Sequence, residues 1–264
     1  MAPLFHISFY RFVPLPDAEA VTHWLRQLTL GLTGSVLVAE EGVNGVLAGS
    51  AAALDDFESA FTADPRFGGM VFRRTACRTA PFARIKVHHR PEIVAVGIDD
   101  AVASVGGEVS PAQWRELMSR DDVVVLDNRN HFEYRLGHFA GAVDPGVRHF
   151  RDFPAYVLAH AARWREGGKT VAMYCTGGIR CEKTSAWMSG LGLEVRQLQG
   201  GILNYFGSLP DAERDWTGEC FVFDNRIAID TRLAETGTTA ERVYGDDPDE
   251  AWRLARARRL DAAG

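Results

Sequence analysis

An apolar run, Val171, Ala172, Met173 and Tyr174, leads straight into Cys175, Thr176, Gly177, Gly178, Ile179 and Arg180, after which a helical pattern begins. A buried strand that ends in a glycine turn and hands over to a helix is a unit of parallel α/β folds, whose ligand sites lie beyond the C-terminal strand ends. The same arrangement aims backbone N–H groups and the positive end of a helix at the first residue of the turn. Here that residue is a thiol. Helix N-termini and an adjacent Arg lower a thiol pKa from about 8.5 to between roughly 3.5 and 7.5. The segment therefore predicts a Cys175 thiolate at neutral pH, with Thr176, Gly177, Gly178, Ile179 and Arg180 as its anion cradle. The plainer alternative is a buried cysteine beside glycines that only serve a turn.

The rest of the chain arranges itself around that unit as two domains, which is also what 264 residues suggest. With 46% hydrophobic and 24% charged residues there is enough apolar surface for two cores. Over residues 1–97 the pattern is βαββαβ. Phe5, Ile7 and Phe9 alternate as a half-buried strand, and an amphipathic helix runs from Asp17 to Leu32. Strands at 35–39 and 46–48 are joined by 40–45, with Asn44–Gly45 suited to the tight turn. A helix follows from its N-cap Ser50 through Phe61, then strands at 70–74 and at 85–96, the latter interrupted near Pro91. That order predicts an α+β domain of the ferredoxin-like, or acylphosphatase-like, kind. A linker spans 98–109, and the parallel α/β domain covers 110–225. It opens with Ser110–Pro111 as N-cap and first helical residue, has a strand at 123–126, and has helical patterns at 150–164 and 181–191. Residues 226–264 form a charged tail, expected as a peripheral helix or a mobile arm.

Charge separates the partners. The 29 Lys and Arg against 35 Asp and Glu give a net charge of −6, so nothing global points to DNA or to a membrane. No apolar run approaches the roughly 18 residues of a membrane span, and the N-terminus lacks a signal-peptide pattern, so the expected location is the cytoplasm. Locally the picture reverses. Between Arg73 and Arg90 there are six basic residues (Arg73, Arg74, Arg78, Arg84, Lys86 and Arg90), two His and no acid. Such a stretch can neutralise RNA phosphates, with Phe82 as a stacking face for a base, or it can be an ordinary solvated strand face. Four cysteines are too few for a disulfide framework and too scattered for a thiolate zinc site. The histidines show no metal-ligand spacing, and no flavin, haem or nicotinamide fingerprint is visible, so no metal or organic cofactor is expected.

The Cys175–Arg180 loop, the strand end Leu126, Asp127, Asn128, Arg129, and the segment from Glu133 through Gly137, His138 and Phe139 to Ala142 together resemble a rhodanese domain. In that family the loop cysteine carries a persulfide. Four residues between Cys175 and Arg180 suit the six-residue sulfurtransferase-type loop, one shorter than the related phosphatase loops. The resemblance implies a supporting ion pair for Asp127 and Arg129 and a structural role for His138. A narrower resemblance rests on Ser8 to Phe12, Glu41 to Gly45, Pro81 to Val87, Cys175 to Glu182 and Gly218 to Asp224, and spans about residues 5–230. These stretches are similar to the oxygen-dependent tRNA uridine hydroxylases. That resemblance implies 5-hydroxyuridine formation at the wobble position, molecular oxygen as co-substrate, Cys175 as the catalytic residue and the anticodon loop of tRNA as partner. Many such relatives continue into a cysteine-rich segment, whereas here only Cys220 remains, so zinc binding is not carried over. Cys181, at the start of the helix, either resolves an oxidised or persulfidated Cys175 or simply packs against the loop. Two other functions stay open on the sequence: a thiosulfate or persulfide sulfurtransferase, and a non-catalytic tRNA-binding module.

Overall fold

Alternation sets the first strand, β1 (Leu4–Phe12), in which Ile7 and Phe9 are buried. The structure, a computed structural model, describes residues 3–98 and 107–261, with side chains to 258; most of the expected linker lies outside the described residues. The chain divides into two units. The first takes residues up to 93 together with 223–226 and the segment from 249, and the second takes 94–222 and 227–248.

After β1 the first unit continues through α1 (Ala18–Leu28), β2 (Thr33–Ala39), β3 (Gly42–Gly49), α2 (Ala51–Thr62), β4 (Arg73–Cys77) and β5 (Ile85–His89). The sheet order is β4-β1-β3-β2-β5. Its first four strands pair antiparallel, as βαββαβ connectivity requires, and β5 adds itself parallel to β2 at the edge. The Oγ of Ser50 accepts the Ala53 N–H at 3.2 Å, so the expected cap of α2 is formed. One face of the sheet is covered by an aromatic core in which Phe61 and Phe67 stack at 4.3 Å, with Trp24 and Phe57 against them.

The expected Asn44–Gly45 turn is wrong. The hairpin turns at Glu40–Glu41, and Asn44 and Gly45 lie inside β3. Gly42 is the residue the turn needs. Its φ is +146°, and a Cβ there would lie 2.0 Å from the Arg11 carbonyl oxygen. Gly45 is small for another reason: it pairs with Phe9, and a Cβ would lie 2.3 Å from that ring. The last two strands are also displaced from expectation. Met70 is a buried core residue ahead of β4, and β5 stops before Pro91, which has no N–H to give a ladder.

The second unit comprises β6 (Glu108–Val109), α3 (Pro111–Met118), β7 (Val123–Asp127), α4 (His131–Leu136), β8 (Gly137–Phe139), α5 (Phe153–Glu166), β9 (Thr170–Tyr174), α6 (Ile179–Gly190), β10 (Glu194–Leu198), α7 (Gly201–Ser208), β11 (Trp216–Gly218), β12 (Cys220–Phe221), β13 (Ala228–Ile229) and α8 (Ala240–Tyr244). Its parallel sheet has the order β6-β10-β9-β7. β9 is buried throughout because helices lie on both of its faces. Val171 and Met173 join the cluster of Phe153, Val157 and Met188, while Ala172 and Tyr174 join that of Trp114, Ile202 and Tyr205. Ser110 and Gln113 form a capping box at α3.

Two expected boundaries move. Glu108–Val109, placed in the linker from sequence, is an edge strand paired with Gln197–Leu198. The stretch read as the start of a charged tail is built into the second unit: Ala228, Ile229, Val243 and Tyr244 are buried, and Tyr244 packs on Phe132 at 5.1 Å. The charges that suggested a mobile arm begin only at Asp246, and the basic part of that run is the helix α9 (Ala251–Asp261).

Candidate active site

Parallel strands bring their C-terminal ends to one side of the sheet, and three of those ends build the site. Cys175 follows β9, Asp127 ends β7, and Gly200–Gly201 follow β10. The turn between Cys175 and α6 works because Gly178 takes φ +102°, which places its N–H 3.1 Å from the Cys175 Sγ. The backbone N–H groups of Arg180 and Cys181 and the Cys181 thiol also favour the charged form of that sulfur. Burial alone pushes the Cys175 thiol up, since the residue is wholly enclosed. The Cys181 hydrogen bond, the Arg180 charge and the two backbone donors outweigh it and bring the pKa down to about 5. Cys181 moves the opposite way. Its own burial and its hydrogen bond to Cys175 hold it protonated, as the donor of the pair, and the Asn128 Nδ2 lies 3.7 Å from its sulfur. Cys220 is also buried, and burial pushes it up to about 12. The loop that the sequence singled out thus holds an acidic thiol with a protonated thiol against it.

Arg180 does not point its guanidinium at open space. Its Nη1 and Nη2 donate to the two carboxylate oxygens of Glu133 at 2.7 and 2.8 Å, and Nη2 also reaches the Thr176 Oγ1 at 3.3 Å. Glu133 has no exposed surface, and its Oε2 also accepts the Asn130 N–H that opens α4. Burial favours its neutral form, but the Arg180 charge and hydrogen bonds win and hold it below the usual carboxylate range. One layer further in, Arg129 donates to both oxygens of Asp127 at 2.8 and 2.6 Å and to the Gly137 carbonyl at 2.6 Å. The Tyr174 hydroxyl donates to the same carboxylate at 2.6 Å. Asp127 and Arg129 form the ion pair expected of them, fully buried. His138 donates its Nδ1 hydrogen to the Tyr134 carbonyl at 2.9 Å and stacks on that ring at 4.0 Å, a packing role.

The far side of the loop is closed by α7. The N–H groups of Ile202 and Leu203 donate to the carbonyls of Cys175 and Thr176 at 3.0 and 3.1 Å. Gly201, with φ +67°, is pressed so close that a Cβ would lie 2.4 Å from the Cys175 carbonyl oxygen and 2.8 Å from the Gly178 nitrogen. Gly201→Ala is therefore expected to push the loop off its donors. The midpoint of Cys175 alkylation against pH should rise from about 5 towards the ordinary thiol range. An unmoved midpoint would show that the loop keeps its shape without this contact.

Residues 5–93 match the UPF0176 acylphosphatase-like domain and residues 110–207 the rhodanese-like domain. Curated relatives cover nearly all of the chain. A tRNA uridine(34) hydroxylase of Legionella pneumophila (strain Corby) is 40% identical over 248 residues, 92% of this chain and 94% of the relative. The chain belongs to the tRNA uridine(34) hydroxylase family. Other members with this name, from Brucella ovis and Brucella suis biovar 1, are 43% and 42% identical over 87% and 89% of this chain, and 76% and 79% of their own lengths.

In this member of the tRNA uridine(34) hydroxylase family the basic run from Arg73 to Arg90 is not one stripe. Arg73 and Arg74 sit on β4 and Lys86 on β5, at opposite edges of the five-stranded sheet. Four inter-strand spacings of about 4.8 Å put those edges about 19 Å apart. Arg74 is bound to Asp55 and Glu58 at 2.8 and 2.7 Å. Arg78 and Arg84 are exposed on the connection that crosses between the edges; Phe82 on it is half-buried, and Arg90 is exposed just past β5. The Pro81 and Ala80 carbonyls accept from the backbone and side-chain amides of Asn225, at 3.0 and 3.3 Å, which fixes that connection. Sequence reading gave no role to Glu133 or Gly201. Only the Gly200–Gly201 pair after a strand carried a local signal of close backbone approach.

Proposed function

We propose that this chain hydroxylates C5 of uridine 34 in tRNA, with Cys175 as the nucleophile and molecular oxygen as co-substrate. The observation that carries the reading is an acidic Cys175 thiolate in the loop of a chain 40% identical to a curated tRNA uridine(34) hydroxylase over 92% of its length. Addition of a thiolate to C6 of uracil turns C5 into an enolate carbon, the kind of carbon that combines with oxygen. The Cys175 donors and the Arg180 charge then stabilise the thiolate before addition and again when it leaves. Atoms balance as uridine, dioxygen and two thiols giving 5-hydroxyuridine, water and a disulfide. Cys181, protonated against Cys175, is the candidate for the first of the two thiols.

In this reading the partner is the anticodon loop of tRNA and the location is the cytoplasm. Among the described residues no helix is long and apolar enough to cross a membrane. Exposed Arg78, Arg84 and Arg90, with Lys86 and Phe82, are the residues proposed to meet phosphates and a splayed base. Arg73 and Arg74 become the weaker members of the set, Arg74 because its charge is spent on α2.

The test is nucleoside mass spectrometry of tRNA lacking wobble hydroxylation, incubated with the purified chain and a thiol reductant in air and under argon. Oxygen-dependent 5-hydroxyuridine at position 34 is the expected result. Equal product in both atmospheres, or none in air, would overturn the proposal.

A further inference from the structure

Residues paired directly across neighbouring strands share a face, and in the first unit the register sorts the sheet into two unlike faces. Ile7, Phe9, Val36, Leu47 and Val87 are buried on the face covered by α1 and α2. On the opposite face, pairing runs Arg73–Ser8–Val46–Ser35–Lys86 across all five strands, and every residue of that row is only half-buried. The next row, Tyr10, Asn44, Leu37 and His88, is half-buried as well. Two cations that the sheet order carries to opposite edges thus stand on one face, with a tyrosine and uncharged side chains between them. None of the five strands contains an Asp or Glu, in a chain with 35 of them. Burial, then the charges of Arg90, Lys86 and Arg26, holds the His88 ring below its usual value, so the β5 edge carries a positive field and a neutral ring at pH 7. Both ends of the face are closed. At one, Arg226, paired with Asp224, brings its Nη1 to 3.9 Å from the Cys77 sulfur; at the other, Asn44 and Glu41 grip the Ile93 carbonyl and N–H at 3.2 and 2.7 Å. The rows through Ser8 and Tyr10 lie between these closures as a strip about 19 Å long.

A sheet face without a covering layer can stack unpaired RNA bases on the aromatic side chains of its inner strands while nearby cations meet phosphates. Tyr10 is on such an inner strand, and Phe12 on the same face meets it edge-on at 6.2 Å. We propose that this strip is a single-stranded RNA platform, on which Tyr10 stacks a base while Lys86 at the edge meets an adjoining phosphate. The base is a neighbour of uridine 34 in the anticodon loop, because uridine 34 itself has to reach Cys175. Duplex RNA keeps its bases in its own stack and offers Tyr10 no partner. The inference deepens the hydroxylase reading and rests on it for which RNA is held; the stacking itself does not depend on catalysis.

The probe is a fluorescently labelled RNA stem-loop with the anticodon-arm sequence, titrated with the whole chain over a salt series and followed by anisotropy. Tyr10→Ala is expected to weaken binding about tenfold or more, the loss that follows removal of a stacking aromatic, whereas Tyr10→Phe keeps the ring and should stay within about twofold of the native chain. Lys86→Gln is expected to flatten the slope of log K against log salt by about 0.7, as loss of one phosphate contact on a single strand does. A duplex of the same length is expected to bind more weakly and with no dependence on Tyr10. Tyr10→Ala within about twofold of native, Tyr10→Phe as weak as Tyr10→Ala, an unchanged slope in Lys86→Gln, or a duplex bound as tightly as the stem-loop would each overturn the proposal. If Tyr10→Ala does not fold, Val46→Glu decides: it sets a carboxylate at the middle of the row, at a half-buried position, and native affinity in that variant would defeat the platform. Native and Tyr10→Ala chains that make 5-hydroxyuridine with equal kcat/KM would remove the platform and leave the hydroxylase reading. Tyr10-dependent binding without 5-hydroxyuridine would remove that reading and leave the platform standing.

Discussion

Cys175→Ser is expected to lower hydroxylation of uridine 34 by about a thousandfold or more while leaving the unfolding temperature of the chain within a few degrees. Losses of that order follow removal of a nucleophile whose partners act as a unit. Serine fits the space left by cysteine, but its hydroxyl does not ionise near neutral pH, so the Gly178 N–H 3.1 Å away would face a neutral oxygen. The pH dependence distinguishes a thiolate from an ordinary cysteine. With a pKa of about 5 the charged form dominates above that value, so alkylation of Cys175 should be level at neutral pH and fall about tenfold per unit as pH drops below 5. An ordinary thiol near 8.5 would be only about 0.3% ionised at pH 6, against about 90% here. The midpoint is the quantity to read, because an enclosed sulfur reacts at an absolute rate that also depends on opening. A midpoint above about 8, or a Cys175→Ser variant that still makes 5-hydroxyuridine, would defeat the assignment.

The second large effect lies one layer deeper. Arg129→Met is expected to destabilise the second unit by about 3–5 kcal/mol, because it strips three hydrogen bonds of 2.8, 2.6 and 2.6 Å and leaves the Asp127 carboxylate buried without its cation. Methionine fills part of the volume, so the loss reports charge more than cavity. Urea unfolding followed by tryptophan fluorescence suits the site, since Trp216 lies 5.4 Å from the Arg129 guanidinium. Replacing both partners, as Asp127→Leu with Arg129→Met, should recover part of the loss, since no charge is then left buried alone. A single substitution costing less than about 1 kcal/mol would mean that water reaches the carboxylate in place of the guanidinium.

What could be read from the sequence and what could not divides along chain separation. The Cys175 loop was legible because every donor to its sulfur lies within six residues of it, and the strand, glycines and helix that orient them are adjacent in the chain. The grip of Glu133 on Arg180 was not, since the two are 47 positions apart and meet only because β7 and β9 are neighbours in the sheet. The basic run does not form one stripe for the same reason in reverse. Residues close together in the chain are carried to opposite edges by the β4-β1-β3-β2-β5 order, which no local charge pattern encodes. At Asn44–Gly45 a good turn pair was present but lost to packing, because the Phe9 ring on the paired strand needs the space that only glycine leaves. The N-caps Ser50 and Ser110 were read correctly because a cap is decided within four residues.

The enclosure of the Cys175 loop bears on how the newly made chain is protected. Its acidity depends on α6 being wound and on carbonyls anchored by Ile202 and Leu203, residues synthesised more than twenty positions later. Until those segments have docked, Cys175 is an ordinary thiol, almost fully protonated at pH 7 and slow to oxidise. Acidity is thereby acquired only once the sheet has closed around the loop, and the pH midpoint of Cys175 alkylation, which separates ionisation from access, becomes a gauge of that closure.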